Sequence, residues 1–151
     1  MFKTILLPTD GSAIAELAIG PAIEFAKSQR ARIIALSVAE PSPALTVPGA
    51  EFAPPDQNVG DDQLLIKARA NLDALVAAAR EAEVPCTTVV MVAQRPHEAI
   101  IRTAQDQHCD LIIMATHGRR GIQRLVMGGQ TEKVILSSTV PVLVYRPQRA
   151  G

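Results

Sequence analysis

The chain has no tryptophan, three phenylalanines and one tyrosine in 151 residues. Phe2, Phe25, Phe52 and Tyr145 are too few and too scattered to build a platform on which successive bases could stack, which argues against sequence-tolerant single-strand binding. An excess of either charge is also lacking: 15 Lys and Arg balance 15 Asp and Glu, so no basic field draws the domain to nucleic acid or to anionic membrane. Any anion must therefore be held locally. Only two cysteines occur, Cys86 and Cys109, and neither belongs to a CxxC pair; both are read as buried thiols of a reduced protein. No stretch approaches the ~18 consecutive apolar residues of a membrane span. The first residues, Met1 to Pro8, carry no basic n-region, long apolar h-region or small-residue cleavage site, so the expected location is cytoplasmic.

What is present is a regular alternation. Ile5-Leu6-Leu7 ends at Pro8-Thr9-Asp10-Gly11-Ser12, after which residues 13–29 carry Ile14, Leu17, Ala18, Ala22, Phe25 and Ala26 at helical spacing. Gly20-Pro21 inside that run predicts a kink, because proline lacks a backbone donor and crowds the preceding turn. Residues 32–38 read as a buried strand and 63–82 as one periodic helix whose stripe of Leu64, Leu65, Leu72, Leu75 and Val76 faces the core. The prolines between 41 and 62 predict an irregular surface excursion. Strand 87–92, helix 96–104 with Pro96 in its first turn, strand 110–115, helix 131–137 and strand 140–145 complete the series. With 48% hydrophobic residues, the chain is expected to form a single domain over 1–151. Continuous apolar strands alternating with helices predict an α/β fold, a Rossmann-like three-layer sandwich with a five-stranded parallel sheet covered on both faces.

In such a sheet, ligands bind beyond the carboxyl ends of the strands where the strand order reverses. The candidate loops are Pro8 to Ser12 and the segment opened by Ala115-Thr116-His117-Gly118. Gly118 would turn the chain off its strand, and Gly128-Gly129 before Gln130-Thr131 would place bare N–H groups at a helix N-terminus, where phosphate is favoured. Thr131 would add a hydroxyl donor or act as N-cap.

At these residues the chain resembles the universal stress protein family. "ILLPTDGS", "IIALSV", "DLIIMATHGRRGIQRLVMGG" and "PVLVYRP" are similar to that family's blocks in order and spacing. The resemblance implies sheet order 3-2-1-4-5 and a stress-response module that binds ATP or a related adenine nucleotide with Mg or Mn. It also implies a homodimer through Val140 to Tyr145. Its nucleotide-binding members carry G-2x-G-9x-G-[S/T], and this chain departs twice, with Ala115 for the first Gly and Gly129 for the hydroxyl residue. Losing a hydrogen bond to charged phosphate, ~1.5 to 3 kcal/mol, predicts affinity weaker by roughly ten- to a hundred-fold. Carried over by residue, the resemblance puts Pro8, Thr9 and Asp10 on the nucleoside side, with Asp10 near the ribose or a metal-bridged phosphate. Val38 would offer its backbone to adenine. Met114, Ala115 and Gly118 would lie beneath the ribose and phosphates, and Gly128, Gly129, Gln130 and Thr131 would hold the phosphate chain.

Plainer readings stand beside these. The glycines could be loop punctuation, and Asp10 could form an Asx-turn with Ser12 as N-cap of the first helix. Arg119, Arg120 and Arg124 read as solvated, and His117 has no local Ser, Cys or carboxylate to make a triad. His97, His108 and Cys109 do not form a metal spacing. A Walker A sequence and a dedicated water-activating base are both lacking, so any ATP hydrolysis should be slow. Two alternatives remain open: a dimeric interaction protein that binds no nucleotide, and a slow ATPase. A receiver-type phosphorylation domain is excluded, since no phosphoacceptor Asp ends the third strand.

Overall fold

The computed structural model describes residues 1–41, 57–116 and 129–148. Strand β1 (Thr4–Pro8) leads through Ser12 into α1 (Ala13–Gln29), followed by β2 (Arg32–Ala39), α2 (Gln57–Ala70) and α3 (Asp73–Glu81). Then come β3 (Cys86–Val92), α4 (Pro96–Asp106), β4 (Leu111–Ala115), α5 (Gln130–Ser137) and β5 (Val142–Tyr145). The strands form one parallel sheet in the order β3-β2-β1-β4-β5, the order expected.

The strand sequences account for the layering. Successive side chains point to opposite faces, so a strand covered on both sides must be apolar at every position. Ile5 and Leu7 of β1, Ile33 and Ala35 of β2, and Leu111 and Ile113 of β4 pack with α1 and α3. Leu6, Ile34, Leu36, Ile112 and Met114 pack on the other face with Ile100 and Ala104 of α4 and Val134 of α5. Burying a large aliphatic side chain fully contributes about 1.5 to 3 kcal/mol, so these two layers dominate the stability of the sheet.

Several boundaries and burials differ from expectation. The predicted helix over 63–82 is two helices. At the junction the backbone bonding tightens from Asn71 N–H to Lys67 O to Leu72 N–H to Arg69 O, a single narrow turn. Asn71 favours such a turn and packs its amide against Gly11. Helix α2 also starts at Gln57, inside the segment expected to be irregular; beyond Pro55 no proline interrupts helical bonding. Residues 42–56 lie outside the described residues. Helix α1 runs through Pro21 as one span, and its buried stripe is Ala18, Ile19, Ala22, Ile23 and Ala26. Leu17, placed in that stripe by spacing, is instead 59% exposed. Cys109 is buried, whereas Cys86 is only half-buried because it sits on the edge strand β3.

Asp110, expected as the first residue of β4, lies just before it. Its carboxylate accepts from the N–H groups of Lys3 (2.8 Å) and Thr4 (3.1 Å), and its own N–H donates to Thr4 O. This ties the starts of β1 and β4 together and so fixes where their carboxyl ends emerge.

Candidate nucleotide-binding crevice

The strand order reverses at β1, which has β2 on one side and β4 on the other. The segment after β1 and the start of α5, which follows β4, are therefore the candidate walls of a crevice at the carboxyl edge of the sheet.

The first wall is held by its own hydrogen bonds. Thr9 is buried, and its N–H donates to Leu36 O at 2.8 Å, extending the β1–β2 ladder one residue past Pro8. Thr9 Oγ1 accepts from Gly11 N–H (3.3 Å), and Asp10 Oδ1 accepts from Ser12 N–H (2.9 Å), an Asx-turn. Ser12 Oγ accepts from Ala15 N–H and so caps α1, as the spacing suggested. Gly11 has φ +76, and a Cβ there would fall 2.7 Å from Cγ of Asn71. The turn thus requires glycine both for its backbone and for its neighbour. Pro8 closes β1 half-buried, and Asp10 is exposed at the rim.

The second wall is open. Gly129 is the N-cap of α5 at φ −71 and ψ 166, with no side chain to accept from the first helical N–H groups. Those orphan donors, at the positive end of the helix dipole, suit an anion. Among the described residues nothing lies within 4 Å of a Cβ built on Gly129, and its backbone conformation does not demand glycine. Thr131 is not the N-cap: its Oγ1 donates to Ala115 O (3.1 Å), joining the start of α5 to the end of β4. Gln130, expected to face phosphate, has its side-chain Oε1 occupied by His97 N–H of α4 at 2.8 Å. That bond uses the side chain's acceptor, while its Nε2 group remains a donor.

Val38 is half-buried near the end of β2 beside Met91 of β3. Met114 is 6% exposed and packed into the sheet core, so its side chain belongs to the floor rather than to the crevice surface. Ala115 is half-buried with its carbonyl used by Thr131. Gly118 and Gly128, with His117, Arg119, Arg120, Gly121 and Arg124, lie outside the described residues. Among the described residues no group of His, Cys, Asp or Glu is arranged to hold a metal ion.

Two contacts near the walls were not legible from motifs. Asn71 beneath Gly11 comes from a helix break, and Gln130 to His97 links the starts of two helices; no local spacing encodes either. Ser37, 1% exposed on β2, carries a hydroxyl with no partner in the described structure, as does His97 at Nδ1. A hydroxyl inside an otherwise apolar strand was the available signal for Ser37.

Comparison with known proteins agrees with this architecture. The model of the universal stress protein family matches residues 1–146. A universal stress protein of Thermus aquaticus is 35% identical over 147 residues, covering 97% of this chain and all of the relative. The solved structure of MJ0577, a universal stress protein of Methanocaldococcus jannaschii, superposes with TM-score 0.80 at 29% identity and 99% coverage of both chains. A universal stress protein from Archaeoglobus fulgidus, solved in complex with dAMP, shares the fold at TM-score 0.63 and 18% identity, over 95% of this chain and 97% of that one. The matched span, the sheet order and these relatives together establish that the chain belongs to the universal stress protein family.

Proposed function

We propose that this chain binds an adenine nucleotide in the crevice between the Thr9–Ser12 turn and the start of α5. The observation that carries the reading is the N-terminus of α5, which has no side-chain cap and is tied to the end of β4, the neighbour of β1 at which the order reverses. The dAMP bound to the Archaeoglobus fulgidus protein supports an adenine ligand for this fold. In this reading Pro8, Thr9 and Asp10 line the nucleoside side and the Val38 backbone meets the base. The backbones of Met114, Ala115 and Gly118 underlie the ribose and phosphates. The N–H groups of Gly128, Gly129, Gln130 and Thr131 receive the phosphates. With a triphosphate, Mg or Mn would accompany the ligand, and Asp10 at the rim is the carboxylate placed to meet it. Hydrolysis is expected to be at most slow, since the sequence carries no Walker A motif.

Homodimerisation is part of the same proposal. Leu143 and Val144 of β5 are 36% and 40% exposed on an edge strand, and Leu136 at the end of α5 is 78% exposed, a set of apolar groups suited to a second copy. A nucleotide-free interaction protein is the second reading, favoured by Ala115 and Gly129, the two departures from the glycine motif.

The test is to purify the protein without added nucleotide, identify small molecules released on denaturation, and titrate ATP with Mg, and AMP, into the emptied protein by calorimetry. Saturable heat with either nucleotide supports the first reading. Silence up to millimolar concentrations of both, with a dimer by light scattering, supports the second.

A further inference from the structure

The sheet has two edges, and among the described residues the one formed by β3 has no further strand paired to it. Natural edge strands are protected by charge, proline, bulges or brevity. Strand β3 has seven residues, Cys-Thr-Thr-Val-Val-Met-Val, with no charge and no proline, and its register with β2 runs unbroken from Cys86 to Val92. Among the described residues it pairs with β2 alone.

The ladder fixes which groups face outward. Ile33 N–H donates to Pro85 O and Ala93 N–H donates to Ala39 O. In a parallel pair, alternate residues turn both backbone groups to the same side. The odd-numbered residues from 85 to 93 therefore bond to β2, and Cys86, Thr88, Val90 and Val92 direct N–H and C=O to the open edge. Side chains of these even-numbered residues lie on the α3 face, where Cys86 and Val90 pack against the core. There Thr88 borders a groove of about 240 Å³ whose floor is Leu72 and Val76 and whose sides carry Arg69, Asp73 and Arg80.

We infer that the β3 edge and this groove form a docking site for an extended acidic peptide segment, which adds to the sheet as a sixth strand. Backbone pairing would come from Thr88 and Val90. A small apolar side chain of the guest would sit over Leu72 and Val76, with acidic residues two positions away on either side reaching Arg69 and Arg80. Both arginines are exposed and neither has an ion-pair partner among the described residues. Asp73 lies in the first turn of α3, where the helix dipole offsets its charge, so the groove presents a net positive charge. A second copy of the chain fits less well, because two β3 edges would bring like arginine pairs together.

The test uses a capped peptide with the core Glu-Thr-Val-Thr-Glu, and its lysine counterpart, against the full-length protein. Hydrogen exchange followed by NMR should first show fast exchange at Thr88 and Val90 and slow exchange at Val89 and Met91. The glutamate peptide should then slow Thr88 and Val90 at least tenfold, less so at high salt, while the lysine peptide does nothing. The double variant Arg69→Glu, Arg80→Glu should reverse that preference. Thr88→Pro, which removes an outward N–H without touching the β2 ladder, should abolish protection. The inference is overturned if Thr88 and Val90 are already protected in the free protein. It is equally overturned if neither peptide binds, if both bind alike, or if self-association alone protects the edge.

Discussion

The two walls of the crevice are built on opposite principles. In the turn after β1, the side-chain oxygens of Thr9, Asp10 and Ser12 each accept from a backbone N–H, and Gly11 is wedged against Asn71. At the start of α5, the cap residue has no side chain, no described residue lies within 4 Å of where its Cβ would be, and no side chain caps the first helical N–H groups. One wall is complete without a ligand, whereas in the proposed reading the other is completed by one. A substitution on the first wall should therefore register as stability, and on the second as affinity.

Gly11→Ala should break the first wall most severely. Positive φ strains any L-residue, and the added methyl overlaps Asn71, so a loss of about 2 to 4 kcal/mol is expected in urea unfolding. Adding Asn71→Ala should recover the steric part and leave about 1 kcal/mol of backbone strain. If Gly11→Ala alone costs nothing, the turn is not rigid and the contrast fails.

Gly129→Ser is the matching change on the second wall. Its backbone is already extended and its Cβ unobstructed, so stability should rise by only a few tenths of a kcal/mol. Nucleotide affinity, read by calorimetry, should improve about tenfold or more if the hydroxyl reaches phosphate. An unchanged Kd would remove phosphate from this position.

Smaller effects distinguish the anchors. Ser12→Ala removes the cap of α1, and Gln130→Ala removes the acceptor for His97 N–H; each should lower stability by about 1 kcal/mol. Only Gln130→Ala should also alter nucleotide affinity, because it loosens the start of α5. Equal effects of the two variants on Kd would erase the distinction between the walls.

The last effect lies away from both walls. Burial raises the Cys109 thiol from 9.0 to about 11, with Arg32 lowering it and Asp110 raising it. The folded state thus retains a proton that the unfolded chain releases, so stability falls as pH rises from about 9 to 11. Urea midpoints across that range should decline less in Cys109→Ala, with Ser12→Ala declining as the parent does.

How much of this was legible in the sequence follows from what is locally encoded. Apolar runs such as Ile5 to Leu7 and Leu111 to Met114 marked the buried strands, because each residue of a two-sided strand must be apolar. Ser12 was readable as a cap, since capping is set by residue type and position. The split between α2 and α3 was not, because Leu64 to Val76 keeps helical periodicity across a one-turn break. Leu17 was misplaced for a related reason: periodicity shows that a stripe exists, and tertiary packing chooses which residues lie at its centre. On the site, the loops were identifiable from glycine and strand position. The use of Gln130 for α4 and of Thr131 for Ala115 depends on partners 33 and 16 residues away, which no local pattern specifies.

The bond from Thr131 to the Ala115 carbonyl has a consequence for how such a domain can change over generations. It fastens the end of β4 directly to the start of α5, 16 residues on, so that helix has an anchor of its own on the sheet. Closure entropy grows only slowly with length, ~0.6 kcal/mol per doubling. The domain therefore carries a clasp: the bond between these anchors holds the ends of the connection together, so a change in its length should cost the fold little.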